Sequence, residues 1–478
     1  MPDSLKKKTI KGVVWSSIER FSVQGIQFVI MIIMARILTP YDYGIIGMLT
    51  IFLQISQSLI DSGFSQALIR KQNRTETDNS TVFYFNIAIS SVLYIILFIS
   101  APWVADFYNA PILIPVMRVI CLSVLINSFV VVQRALFTVN IDFKTQAKAS
   151  FIAAVFSGIV GIGMAYGGCG VWSLVVYQLI NYAGIAFLLW YFSKWRPIFA
   201  YSWKSFKELF SFGSKLLISG LLATIYNNVY LIVIGKLFTA TNLGHYTRAH
   251  QFSDFPSSNF TGILQRVTYP VLCTIQNDDE RLSEVYRKLL KLSAYIIFPL
   301  MCGLAAVSHP LVWLLLGEKW EFCSVLLQIL CFSMMWYPIH AINLNLLQVK
   351  GRSDLFLKLE IVKKILGIIV LCITIPMGLI AMCYGQIISS ILALIINTYY
   401  TGKLINVGFI KQMKDISGTL ILSLIMFISI ILLISTISSL LLELILGLSL
   451  GAIIYLGISK LLKFKELNYV LSIINRNR

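Results

Sequence analysis

Of the 478 residues, 58% are hydrophobic and 13% are charged, and the mean hydropathy is +0.81. A water-soluble domain carries about 25% charge, so this composition excludes one and makes lipid the main solvent of the chain. The net charge of +18 is scattered over many short loops, with no basic domain and no nucleic-acid recognition motif; the cations read as orientation signals, and no nucleic-acid partner is expected.

The chain opens with Lys6, Lys7, Lys8 and Lys11, followed by an apolar run from Gly12 to Leu38. That run exceeds a signal-peptide core and ends without a small-residue cleavage site, so it predicts a first membrane helix kept in the mature protein. Crossing a hydrocarbon core of about 30 Å takes about 20 apolar residues. Fourteen segments meet that need: 12–37, 44–68, 80–101, 114–133, 149–167, 171–192, 210–234, 245–271, 291–316, 323–348, 360–377, 379–400, 416–436 and 440–459. The eighth is the least apolar, because it holds Arg248, His250, Asp254, Pro256 and Arg266. The eight cysteines form no C-x-x-C pair and no spacing with histidine, which predicts small buried residues and no metal site.

The Lys and Arg of the tails and loops fall almost entirely in one alternate set; the intervening loops hold only Lys236 and Lys319, with Arg36 at a helix end. The positive-inside rule then places both termini in the cytoplasm. Residues 193–209 carry Phe199, Trp203, Phe206 and Phe210 interleaved with Lys204 and Lys207, a pattern that predicts a short helix lying in the interface. Asp278–Leu292 is amphipathic and of mixed charge, which predicts a solvated or interfacial face.

Two sequence elements recur in order. Arg36 followed by Ile37-Leu38-Thr39-Pro40-Tyr41-Asp42-Tyr43-Gly44 returns as Lys236 followed by Leu237-Phe238-Thr239-Ala240-Thr241-Asn242-Leu243-Gly244. Gly170-Val171-Trp172-Ser173, leading to Tyr177-Gln178, returns as Gly378-Leu379-Ile380-Ala381, leading to Gly385-Gln386. Duplicated membrane bundles are the architecture of secondary transporters. The expected fold is an all-α polytopic membrane protein of about 14 transmembrane helices. It comprises a six-helix lobe (1–192), a cytoplasmic or interfacial linker (193–209), a second six-helix lobe (210–402), and two further membrane helices with a basic cytoplasmic tail (403–478). The last helix pair has Glu443 near an outer end and no deeper ionisable residue, which assigns it to the lipid-facing periphery.

An ionisable residue inside a membrane costs roughly 2.5–3.5 kcal/mol on insertion scales, so such residues are candidate functional groups. Helix 1 carries Glu19 and Arg20 with Gln24, either lining a wet cavity or forming an internal ion pair. Helix 2 carries Asp61, placed to pair with Arg20, to take a coupling cation, or to be solvated through the turn at Gly63. Helix 7 carries Lys215, which either lines the inner approach or snorkels, and the deeper Asn227 and Asn228. Helix 8 is the most polar, with Arg248, His250, Gln251, Asp254, Ser257, Ser258, Asn259, Gln265 and Arg266, and must line water or polar helices rather than lipid. Arg248 is the leading ligand contact, Arg266 is a ligand contact or a topology anchor, and Arg118 in helix 4 stays open. Arg134, Lys363 and Lys364 read as snorkelling cations, and His309 and His340 as packing residues. Among the polar helices Arg20, Lys215, Arg248 and Arg266 outnumber Glu19, Asp61 and Asp254. That surplus suits an anionic cargo, with Arg favoured for phosphate because its planar fork binds two oxygens.

The run Met34-Ala35-Arg36-Ile37-Leu38-Thr39-Pro40-Tyr41-Asp42-Tyr43-Gly44, with the later Asp61-Ser62-Gly63-Phe64, resembles the polysaccharide-exporting branch of the multidrug/oligosaccharidyl-lipid/polysaccharide (MOP) transporter superfamily, the Wzx/WzxC-like O-antigen and exopolysaccharide flippases. The resemblance implies two lobes around a cationic cavity in the bacterial inner membrane. It implies a cargo of undecaprenyl-pyrophosphate-linked saccharide (O-antigen, capsule or exopolysaccharide), flipped to the outer leaflet by alternating access. Glu19-Arg20 is similar to an acid–base pair in helix 1 of related lipid-linked precursor flippases, in reversed order, and Arg248 occupies a similar region. Arg20 and Arg248 would hold the pyrophosphate while the polyprenyl tail stays in membrane lipid. A polysaccharide polymerase or assembly proteins are the implied partners. No cofactor is expected beyond a coupling H+ or Na+, with Asp61 or Asp254 as its candidate site. The protein is then a secondary transporter and no enzyme.

The alternative on the same fold is a cation-coupled small-molecule (multidrug) exporter, which favours cavity acids over the bases found here. A glycosyltransferase or ligase needs catalytic groups on outer loops, and these are short and nearly free of acids. The loop Arg70-Lys71-Gln72-Asn73-Arg74 lacks the major-facilitator signature, and no G-x-x-x-x-G-K-[ST] motif indicates an ATP-driven pump.

Overall fold

The computed structural model describes residues 22–61 and 63–476, so Glu19 and Arg20 lie outside the described residues. Backbone contacts divide the chain into two compact units, Met1–Gly244 and His245–Arg478. The first holds α1 (Ser22–Ile37), α2 (Pro40–Asp61), α3 (Phe64–Arg70), α4 (Glu76–Tyr108), α5 (Leu113–Ile120), α6 (Leu122–Ser128), α7 (Val131–Val139), α8 (Phe143–Tyr166), α9 (Val171–Phe192) and α10 (Trp203–Leu237). Helix α11 (Ala240–Thr274) begins in the first unit and opens the second. There follow α12 (Asp279–Ala306), α13 (Ser308–Leu316), α14 (Glu321–Met334), α15 (Tyr337–Val349), α16 (Ser353–Thr374), α17 (Leu379–Ile405), α18 (Phe409–Ile434), α19 (Leu440–Leu461) and α20 (Lys465–Arg476).

Among the described residues, 11 helical stretches are long and apolar enough to cross a bilayer, which makes this a multi-pass membrane protein. Apolar length alone therefore counts fewer crossings than the fourteen expected. Three expected segments are helical but fall short for separate reasons. Helix α1 is described only from Ser22, α11 is too polar, and the first half of α16 carries Lys358, Glu360, Lys363 and Lys364. The fourth expected helix is broken into α5, α6 and α7, and the ninth breaks at Val307 ahead of Pro310. Proline lacks the N–H that would continue the ladder.

Exposed apolar faces mark the lipid contact: Ile95, Ile99 and Trp103 on α4, and Ile421, Ile425 and Ile428 on α18. The other face of α18 lies along α12, so that helix is only partly peripheral. Helices α8 and α9 approach through small residues, with Gly184 against Ala153 and Gly161 against Tyr177. Close backbone approach replaces the hydrophobic drive that lipid cannot supply.

The duplicated element proves to be a helix start. Thr39 caps α2: its amide and hydroxyl bond the Asp42 carboxylate at 2.9 and 2.7 Å, and the Asp42 amide reaches back to the Thr39 hydroxyl at 3.4 Å. At the second copy the Asn242 amide bonds the Thr239 hydroxyl at 3.2 Å. The Thr-x-x-Asp/Asn spacing is thus a capping box and its reduced form. The two starts meet each other. A methyl group at Gly44 would fall 1.7 Å from the carbonyl oxygen of Ala240, and one at Gly244 would fall 1.8 Å from that of Pro40. Both glycines are required because backbone lies on backbone. In the second duplicated pair, Gly170 (φ 53°) and Gly378 (φ 96°) precede α9 and α17 in a conformation that glycine adopts without strain.

The linker differs from expectation. Residues 193–202 form no helix, and the aromatic run from Trp203 is the start of α10, which continues to Leu237. The linker backbone is instead stapled to α4, with the Ile198 and Ser202 amides each donating at 3.0 Å to the buried hydroxyls of Ser80 and Thr81. Phe206 and Phe210 leave the interface to pack with Phe64 and Phe85. Lys71 ties this end together, reaching Asp78 and Glu208 at 3.1 Å each.

In the second unit, Asp278 caps α12 through the Arg281 amide, and the amphipathic segment is the solvent end of that helix. Leu282, Tyr286 and Leu290 are buried while Glu284, Arg287 and Lys288 are exposed. Four helices join at a buried polar knot. Asn343 Oδ1 accepts from Tyr286 at 2.9 Å, Gln412 at 3.1 Å and Thr401 at 3.3 Å. The basic tail also holds an unanticipated element, the helix α20. Leu467, Val470, Leu471 and Ile474, at i, i+3, i+4 and i+7, are the signal for it.

Candidate transport path

Helix α11 separates its polar residues into two faces. Ser253, Ser257, Thr261 and Thr268 are buried. Ser257 donates to the Met334 carbonyl at 2.7 Å, Thr261 to the Ser257 carbonyl at 2.7 Å, and Asn345 to Thr268 at 3.4 Å. These groups fasten the helix into its unit. Thr247, Gln251, Asp254, Ser258 and Gln265 are accessible, and with Gly262 they follow steps of four, three, four, four and three residues. Such steps trace one line along a helix. At 1.5 Å per residue, 247 to 265 covers about 27 Å, most of the depth of the hydrocarbon core.

The sequence candidates take different places. Tyr246, one turn before His250, was not anticipated; its ring lies 5.9 Å from that of His250, and its hydroxyl accepts from Gln386 at 2.8 Å. Asp254 is within electrostatic reach of His250 and Tyr337. Gln386, His250 and Asp254 thus form a polar row in which Tyr246 is the joint. An aromatic residue at i−4 to an intramembrane histidine is the signal that could have found it. Arg248 is half-buried near Cys323, and Arg266 is exposed towards the end of α11.

In the first unit, Asn228 is buried and donates to Gln54 at 2.7 Å and to the Thr224 carbonyl at 2.8 Å, joining α10 to α2. Ser58 and Thr224 lie 3.3 Å apart on the same seam. Asn227 is exposed on the next position of α10, the helix that also carries Lys215, and Gln24 is half-buried on α1. Asp61 accepts the Ser65 amide at 3.4 Å across the turn at Gly63. Arg118 lies 4.4 Å from the centre of the Phe98 ring, on the exposed apolar face of α4. The structure brings His250 and Asp254 together, places Asn228 in packing, and sets Arg118 beside a lipid-facing ring.

A family model described as polysaccharide biosynthesis protein matches residues 33–325. Teichuronic acid biosynthesis protein TuaB of Bacillus subtilis (strain 168) is 27% identical over 355 residues, covering 74% of this chain and 73% of the relative. Lipopolysaccharide biosynthesis protein WzxC of Escherichia coli (strain K12) is 27% identical over 399 residues, covering 83% of this chain and 80% of the relative. A solved structure of the lipid II flippase MurJ in an inward closed conformation superposes with a TM-score of 0.77 at 16% identity, covering 94% of this chain and 98% of that one. That likeness shows the fold. The family match spans more than half of the sequence, and the chain belongs to the polysaccharide biosynthesis protein family.

Proposed function

We propose that the protein flips an anionic lipid-linked saccharide across a bacterial cytoplasmic membrane by alternating access, with both termini in the cytoplasm. The cargo class is an undecaprenyl-pyrophosphate-linked unit, handed after transport to a polymerase or assembly protein. The accessible stripe of α11 carries this reading. Five polar side chains along about 27 Å of helix cannot face acyl chains at several kcal/mol per unsatisfied group. They need water or a polar cargo, and a saccharide offers hydroxyls at every depth.

Charge selects the cargo. Arg248 and Arg266 accompany one acid, Asp254, on α11, and Arg20 and Lys215 add to the surplus from helices 1 and 7. Arginine suits a pyrophosphate through paired N–H donors. An inside-negative potential favours outward movement of the anion by about 2.3 kcal/mol per charge per 100 mV. Asp254 beside His250 is better placed than Asp61 to take a coupling ion, because Asp61 already accepts the Ser65 amide. The family supports a saccharide over the small-molecule alternative.

A deletion strain tests the proposal. Lipid-linked saccharide should accumulate on the cytoplasmic leaflet, and Arg20→Ala and Arg248→Ala should fail to restore export. Normal export in the deletion strain, with loss of drug resistance instead, would overturn it.

A further inference from the structure

Outside the transport path, a strongly charged cleft lies where α20 meets α12. The cleft has a volume of 370 Å³ and is lined by Arg287, Lys288, Lys291 and Lys465, with Leu292 and Tyr469. We propose that it binds the phosphate headgroup of an anionic phospholipid.

The depth of the cleft supports a lipid. Arg287, Lys288 and Lys291 are the last charges of α12 before the apolar run from Leu292, so the cations sit where that helix enters the hydrocarbon. Helix α20 pairs an apolar stripe with Lys465, Glu466 and Asn468, the pattern of a helix lying in the headgroup layer. The cleft between them opens at headgroup depth.

Charge supports an anion. Arg287 holds Asp415 with both prongs of its fork, at 2.6 and 2.8 Å, and Lys291 reaches the same carboxylate at 3.1 Å. Two cations therefore share one acid that is nearly inaccessible, its side chain being 4% exposed. Lys288 rests 4.7 Å from the centre of the Tyr469 ring. Glu284 and Glu466 also line the cleft, so the lining and its Asp415 carry four cations against three acids. A phosphate diester with one negative charge balances that excess. The rigid Asp415 clamp orients Arg287 and Lys291, while Lys288 and Lys465 reach from opposite walls. Leu292 and Tyr469 supply the apolar contact for the glycerol and upper acyl carbons.

The site does not depend on what is transported. The test uses the purified full-length chain in detergent, titrated with short-chain phosphatidylglycerol, with short-chain phosphatidylcholine, and with inorganic phosphate as competitor. Phosphatidylglycerol should bind, phosphatidylcholine should not, and millimolar phosphate should fail to displace the lipid. The Lys288→Ala/Lys465→Ala variant should bind about fivefold more weakly for each cation removed. Unchanged affinity in that variant would overturn the proposal. Equal binding of phosphatidylcholine would do the same, and so would displacement by free phosphate. The selectivity arms are read on the unaltered chain, so a variant that fails to fold leaves the proposal open to refutation.

Discussion

Gly44→Ala adds one methyl group at the point where the two duplicated helix starts touch. That carbon would stand 1.7 Å from the Ala240 carbonyl oxygen, against about 3.3 Å for a close C–H···O contact. The two backbones must part by about 1.6 Å, or neighbouring turns must distort. Overpacking of that kind costs about 1–3 kcal/mol, and alanine returns about 1 kcal/mol of helix propensity. Gly220→Ala is the matched control, because a methyl there meets nothing within 4 Å; it should stabilise the protein by up to about 1 kcal/mol. Gly244→Ala should behave like Gly44→Ala, since its methyl would lie 1.8 Å from the Pro40 carbonyl oxygen. Parting the backbones once relieves both clashes, so the double variant should cost less than the two single losses combined. Thermal unfolding of the four variants in one detergent measures this. A Gly44→Ala protein as stable as Gly220→Ala, or an additive double variant, would refute the reasoning.

Other consequences follow from the same geometry. Asn343→Leu removes the acceptor of the buried Tyr286 hydroxyl and the donor to the buried Gln412 Oε1, at about 1–3 kcal/mol for each orphaned group; denaturation should show a loss of at least about 2 kcal/mol. Burial pulls the Lys71 pKa down, but hydrogen bonds to Glu208 and Asp78 outweigh it and leave it above the ordinary lysine value of 10.5. Its stabilisation is therefore full below 10.5 and is lost as pH rises through the higher folded value. The difference in melting temperature between the native chain and Lys71→Gln should stay constant from neutral pH up to 10.5 and shrink above it. In a background with the exposed Cys169 and Cys372 and the half-buried Cys273 replaced by serine, Gln251→Cys, Ser258→Cys and Gln265→Cys should react with a membrane-impermeant maleimide. Ser253→Cys and Thr261→Cys should stay unlabelled, because both positions are buried.

The fold was legible where one physical rule dominates. Long apolar runs predicted the spans from Glu76 to Phe192 because hydrocarbon demands them. The repeat at Thr39 and Thr239 was legible as a repeat, but its meaning as capping box and backbone contact was not. That contact joins residues far apart in sequence, and only tertiary structure sets them side by side. Asn228 illustrates the same gap: intramembrane amides read as cavity candidates, yet this one is consumed by Gln54 on α2. The linker misled because an alternation of aromatic and basic residues suits an interfacial helix and also the first turns of a long helix whose rings pack inward. Polarity on α11 was visible, but its division into a fastened face and an accessible stripe depended on the neighbours α14 and α15.

The most direct measurement places the purified protein in liposomes that carry a lipid-linked saccharide on one leaflet and follows its arrival on the other with an impermeant glycosidase. The native chain should make lumenal saccharide accessible faster than empty liposomes do, and Gln251→Leu/Ser258→Leu/Gln265→Leu should abolish the gain while leaving the melting temperature near native. Equal rates for native and triple-variant proteins would contradict a hydrated path along α11.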